Sequence, residues 1–175
     1  MDRREQDALY RQVITEHGAM ILRLARGYEA DPDRRLDLLQ DIHLELWRSL
    51  KLFDGRCALR TWVYRVAHNV AASHIVRHRR IVVRLVDLEA LDTEPASVDG
   101  EAQVDHWHAA QKLLSLIHQL RPADRQIIML FLEGESAAEI AEVTGLSPSN
   151  IATKVHRIKK LLHQRYIEGK SHERE

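Results

Sequence analysis

A chain of 175 residues, 45% hydrophobic and 30% charged, has room for one large or two small domains and is too apolar for sustained disorder. Its single cysteine, Cys57, excludes an internal disulfide and fits a reducing compartment. The start, Met1-Asp2-Arg3-Arg4-Glu5-Gln6, lacks the apolar core of a secretory signal. No run approaches the ~18 apolar residues of a membrane span, so a cytoplasmic protein without membrane insertion is expected.

The net charge of zero conceals a segregated pattern. Residues 1–85 carry 16 Lys and Arg against 11 Asp and Glu, residues 86–105 carry none against seven, and residues 106–175 carry ten against eight. Gly55 to Val86 holds seven arginines and no acid, and Ile151 to Ile167 holds Lys154, Arg157, Lys159, Lys160 and Arg165 with no acid. Two basic patches flank an acidic connector, a pattern suited to a polyanionic partner.

Helical periodicity runs through the chain, and no stretch alternates long enough for a strand. A first helix is expected over about Glu5 to Tyr28, with Leu9, Val13, Met20, Leu24 and Tyr28 near one stripe. Asp31-Pro32-Asp33 breaks it and offers a cap for a second helix, about Arg34 to Leu50, with Leu38, Ile42, Leu46 and Leu50 at four-residue spacing. Lys51 to Cys57 reads as a loop turning at Asp54-Gly55. A third helix, from Leu59 to about Arg80, should bury Leu59, Trp62, Val63, Val66 and Val70. Residues 1–85 thus form one helical domain and residues 86–105 an extended acidic linker, or else a solvated loop. Residues 106–175 form a second domain, which opens at about Ala102. Its four helices lie near Ala102–Gln119, Pro122–Leu132, Ser136–Thr144 and Pro148–Tyr166. The fold class is all-α.

Ser136 to Ile151 has the form of a helix-turn-helix. Ala138 and Ala141 allow close helix approach, Gly145 supplies a left-handed end, Leu146 plugs the core, and Ser147 caps a helix that begins at Pro148. Ile151, Val155, Ile158 and Leu162 form that helix's buried stripe, so Ser149, Asn150, Thr153, Lys154, Arg157 and Lys160 face outward. Asn150, Thr153 and Lys154 suit base edges in a major groove, and Arg157 and Lys160 suit phosphates. An ordinary helical hairpin with a solvated basic face is the plain alternative.

Three stretches in order resemble the sigma-70 superfamily, in its extracytoplasmic-function group. Asp37-Leu38-Leu39-Gln40-Asp41-Ile42-His43-Leu44-Glu45-Leu46-Trp47-Arg48 is similar to the part of region two that docks on RNA polymerase. Leu59-Arg60-Thr61-Trp62-Val63-Tyr64-Arg65-Val66-Ala67-His68-Asn69-Val70-Ala71 resembles the helix that captures the minus-ten promoter element. Leu120-Arg121-Pro122-Ala123-Asp124-Arg125-Gln126 onward to Arg157 resembles region four, which binds the minus-thirty-five element.

The resemblance implies a subunit that directs core RNA polymerase to promoters and assists melting, with no catalysis, cofactor or metal of its own. Asp37, Gln40, Asp41 and Glu45 would meet polymerase. The loop Phe53, Asp54, Gly55, Arg56, Cys57 and Ala58 and the helix residue Asn69 would hold a flipped base. Arg60 and Arg65 would add positive charge, and Arg77, Arg79 and Arg80 would reach upstream phosphates. Implied partners are core polymerase, promoter DNA as duplex and melted strand, and, as for many members, an anti-sigma factor. The residues also fit a stand-alone helix-turn-helix regulator with a helical sensing domain. Trp47 and Trp62 are expected in the core. Ala152 departs from the family's basic residue, and Cys57 is unusual in the capture loop. His74 and His78 have metal-like spacing but no third ligand nearby.

Overall fold

Helix starts and stops follow local chemistry. The computed structural model describes residues 2–86 and 103–172, with side chains described over 2–77 and 108–168. Among the described residues the chain forms α1 (Arg3–Tyr28), α2 (Pro32–Ser49), a 3₁₀ turn (Leu50–Leu52), α3 (Leu59–Val86), α4 (Gln103–His118), α5 (Pro122–Leu132), α6 (Ala137–Thr144) and α7 (Pro148–His172). Asp31 caps α2 by accepting from the Arg34 amide, with Pro32 in the first turn. Ser136 and Glu139 make a reciprocal capping box on α6, and Gly145 closes that helix at φ 75°. The Ser147 hydroxyl accepts from the Asn150 amide at 3.3 Å at the start of α7. α3 and α7 extend past the expected ends at Arg80 and Tyr166, because the residues that follow include no proline to stop them. Most of the acidic connector, residues 87–102, lies outside the described residues.

In the first domain, Leu38, Ile42, Leu46 and Leu50 are all fully buried, each contributing about 2 kcal/mol of hydrophobic stabilisation. α3 buries Val63 as expected, but its inward stripe is centred to one side of the expected one. Val63, Tyr64, Ala67 and Ala71 are buried, whereas Leu59, Trp62, Val66 and Val70 are only partly so. Tyr28 and His68 share a hydrogen bond at 2.9 Å, and the Tyr64 ring stacks with His68 at 6.1 Å. The stripe can include aromatic-polar residues because His68 finds a buried partner in Tyr28 and the Tyr64 hydroxyl accepts from Arg60.

The second domain buries Ile117, Leu120, Ile127, Ile128, Leu130, Ile140, Ile151 and Ile158. It packs directly on the first, α5 against α1 and α3, and α6 against α3. Arg125 of α5 donates to the Tyr28 carbonyl at 3.0 Å and lies over the Tyr28 ring. His118 Nε2 meets the Arg26 carbonyl at 2.9 Å. Gly27 makes the approach possible: a Cβ there would sit 2.5 Å from Met129 Sδ.

Burial pushes the His68 imidazole down to about 3, so it stays neutral in the fold while an unfolded chain protonates it below pH ~6.5. The unfolded state then binds the extra proton, and stability falls as pH drops from about 6.5 toward 3. Urea titrations should show this slope, at most ~1.4 kcal/mol per pH unit from this group, and His68→Gln should flatten it; an unchanged slope would remove His68 as its source.

Candidate nucleic-acid interface

The loop between α2 and α3 frames a hollow. Its turn forms because Gly55 adopts φ 75° and the Asp54 carboxylate accepts from the Arg56 amide at 3.1 Å. Trp62 stands at the back. Its indole N–H donates to Ser49 Oγ at 3.2 Å, and Phe53 packs edge-on to it with centroids 5.6 Å apart. Asp54, Gly55, Arg56, Cys57, Ala58, Trp62 and Arg65 line about 760 Å³, together with Glu142 of α6. An aromatic wall with cations at the rim suits a planar, anionic ligand such as a nucleotide. Trp62, expected in the core, is half-buried and supplies that wall.

The structure does not bring Asn69 into this hollow. Asn69 lies one turn beyond Arg65 on the same exposed stripe of α3, followed by Ser73 and Arg77. A second hollow of about 410 Å³ gathers Asp41, Leu44, Glu45, Arg48, Asn69, Val70, Ser73 and Arg77 between α2 and α3. Arg77 Nη1 and Asp41 Oδ2 are 3.5 Å apart. Residues assigned to polymerase and residues assigned to DNA therefore share a wall. Asp37, Gln40 and Glu45 are exposed on α2, beside exposed Leu36 and Leu44. Ser73 escaped the sequence reading, which placed Arg48 only at the end of the polymerase-docking stretch; their register with Asn69 across the helix pair was the missing signal. Arg80's side chain lies outside the described residues, as do those of Arg79 and His78.

Arg60 and Arg65 are engaged within the chain. Arg60 forms an ion pair with Glu135 and lies over the Tyr64 ring at 5.6 Å. Arg65 Nε donates to the Glu142 carbonyl at 2.9 Å.

In the helix-turn-helix, Ser149, Asn150, Thr153, Arg157 and Lys160 are exposed on α7. Two of its cations share an unexpected partner. Asp124, in the first turn of α5, sits 3.7 Å from Lys154 Nζ, 3.6 Å from Arg157 Nη2 and 2.8 Å from Arg121 Nη2. Its side chain is only 10% exposed, so these pairs are less screened than surface ones. The sequence could have suggested Asp124 as a helix-start acid, but not its contact with a helix some thirty residues on. Trp47, expected in the core, is half-buried and donates to Asp7 at 2.9 Å. His74 pairs with Glu29 at 3.2 Å, and among the described residues no group of three or more His, Cys, Asp or Glu is arranged for a metal.

Comparison with known proteins covers both halves. Residues 13–81 match the family model for Sigma-70 region 2, and residues 110–162 that for Sigma-70, region 4. The ECF RNA polymerase sigma factor SigX of Bacillus subtilis is 27% identical over 139 residues, 77% of this chain and 71% of its own length. RNA polymerase sigma factor SigV of the same organism is 26% identical over 156 residues, 89% of either chain. Among solved structures, the sigma factor RpoE of Bartonella quintana, in complex with the anti-sigma factor NepR, superposes with a TM-score of 0.67 at 20% identity. That match covers 89% of this chain and 94% of the other. CnrH in complex with the cytosolic domain of CnrY gives 0.62 at 21% identity, over 93% and 90% of the two chains. With both regions matched in order on an all-helical two-domain frame, the chain belongs to the sigma-70 family, in its extracytoplasmic-function group.

Proposed function

We propose that α3 presents the melted minus-ten strand with one continuous track. The observation that carries this reading is the stripe Arg65, Asn69, Ser73 and Arg77, which starts at the Trp62 hollow on a helix whose sequence contains no acid. The hollow takes an unstacked base, the arginines hold the backbone, and Asn69 offers both a donor and an acceptor to a base edge. Asp37, Gln40, Asp41 and Glu45, with Leu36 and Leu44, form the acidic and apolar face that meets core RNA polymerase. Residues 1–85 would do this work, residues 86–105 tether, and residues 106–175 grip the minus-thirty-five duplex. There Ser149, Asn150, Thr153 and Lys154 face bases, and Arg157 and Lys160 face phosphates. The bond-making belongs to polymerase, in the cytoplasm, and an anti-sigma factor is the natural regulator. A stand-alone regulator accounts for the second domain but leaves the region 2 match unexplained.

Reconstitution with core polymerase on promoter libraries tests the whole: promoter-dependent transcripts are expected, and their absence together with failure to co-purify with core would refute it. Asn69→Ala should lower open-complex formation about ten-fold, the scale of one lost pair of hydrogen bonds, while leaving core binding intact; equal loss of both would contradict the role. Asp124→Asn should release Lys154 and Arg157, raising affinity for nonspecific duplex several-fold at low salt. Arg157→Ala should reduce the salt slope by about one. Salt titrations by fluorescence anisotropy read both, and a slope that moves in neither variant removes these two cations from the DNA face.

A further inference from the structure

We infer that the hollow between the start of α5 and the second half of α7 seats one backbone phosphate at the edge of the major groove, with Arg121 and Arg165 as its further ligands beside Arg157. The inference rests on the assignment of α7 to the minus-thirty-five duplex and extends that contact to a second element of the domain. The hollow encloses about 340 Å³ and brings together Gln119, Arg121, Asp124, Arg157, Leu161 and Arg165. Three guanidinium groups against one carboxylate leave it a positive surplus. Asp124 stands at the back and steadies the front. Its Oδ2 accepts from Nε and Nη2 of Arg121 at 3.2 and 2.8 Å, which fixes one edge of the planar fork and leaves Nη1 to turn away from the acid. The Arg121 side chain is nevertheless 74% exposed. Arg157, 3.6 Å from the same carboxylate, is 61% exposed. Arg165 Nη1 lies 3.4 Å from Gln119 Oε1. Each arginine is thus held from one side and open on another, so an anion binds without first ordering them.

The position along α7 selects a backbone phosphate. Arg157 lies about 10 Å along the helix axis from Asn150, and Arg165 about 22 Å, at ~1.5 Å per residue. The major groove is about 12 Å wide. With Asn150 over base edges, Arg157 therefore reaches the bordering strand, and Arg165 lies beyond it. Arg157, Leu161 and Arg165 follow one another at four-residue spacing, so the stripe continues past the groove on one face. Arg121 meets that stripe from the other side of the hollow. It is also the N-cap residue of α5 and makes no side-chain cap bond there, so the positive end of that helix dipole adds to the guanidinium charge. A contact of this kind fixes the depth and register of α7 in the groove while reading no base.

The test uses the full chain assembled with core polymerase on promoter duplex. Arg121→Ala and Arg165→Ala should each weaken binding about five-fold, equally for preferred and altered minus-thirty-five sequences, and lower the salt slope by about one. Arg121→Lys keeps the charge and should restore the slope. Lys159→Ala removes a cation that lies over the Phe131 ring, on the opposite side of α7 from Arg157, and should leave the slope unchanged. Replacing single phosphates by uncharged methylphosphonates should reveal one position whose neutralisation weakens the wild type about five-fold and Arg121→Ala no further. If the wild type binds promoter but no position couples to either arginine, the hollow is not a phosphate seat, and the reading of α7 stands. A slope that falls as far in Lys159→Ala, or that Arg121→Lys fails to restore, also overturns the seat alone. If inorganic phosphate at constant ionic strength weakens the wild type but not Arg121→Ala, with no coupled position in the DNA, the hollow serves a free anion and the inference fails. A wild-type complex indifferent to every minus-thirty-five sequence overturns the reading of α7, and the seat with it.

Discussion

The buried guanidinium of Arg125 is the contact around which both domains are arranged. It is 3% exposed and donates to the carbonyls of His118, Leu120 and Tyr28. Tyr28 ends α1 and His118 ends α4, so one cation satisfies orphan acceptors at the negative ends of two helix dipoles, one from each domain. Taking a charge out of water is costly unless its hydrogen bonds are met. Here three carbonyls accept from its two Nη groups, and the Tyr28 ring covers one face at 5.6 Å. Tyr28 in turn holds His68, and Tyr64 stacks against that ring. The register of α3, and hence the direction of Arg65 and Asn69, follows from this chain of contacts.

Much of the fold was legible because the local signals agree. The caps at Asp31 and Ser147 and the left-handed Gly145 lie where propensity places them, and the four-residue spacing of Leu38, Ile42, Leu46 and Leu50 marked the core face of α2 correctly. α3 was misread in its details. Trp62, Val66 and Val70 looked like the buried stripe by hydrophobicity alone, yet Tyr64, His68 and the two alanines face inward. Their burial depends on the hydrogen bond between His68 and Tyr28 and on close helix approach, neither of which a hydrophobic pattern encodes.

The candidate site shows the same division. Residues on one loop or one helix face, such as Asp54 to Ala58 or Ser149 to Thr153, were grouped correctly as neighbours because sequence spacing fixes them. Contacts between elements were invisible: Asp124 with Lys154 and Arg157, Asp41 with Arg77, and above all the acidic turn before α6 against α3. Segregated charge hinted at electrostatic partnership but pointed outward, to nucleic acid. Part of that charge is satisfied inside the molecule, which is how a chain of zero net charge keeps two basic surfaces.

The unbroken length of α3 has a further consequence. From Arg65 to Arg77 the backbone is a single helical rod, about 18 Å at ~1.5 Å per residue, so the contacts along it are fixed in both spacing and azimuth. Adding or deleting one residue within that span would swing everything beyond it by about 100° around the axis. Substitutions can retune what this rod reads, one position at a time, but its register is closed to gradual change.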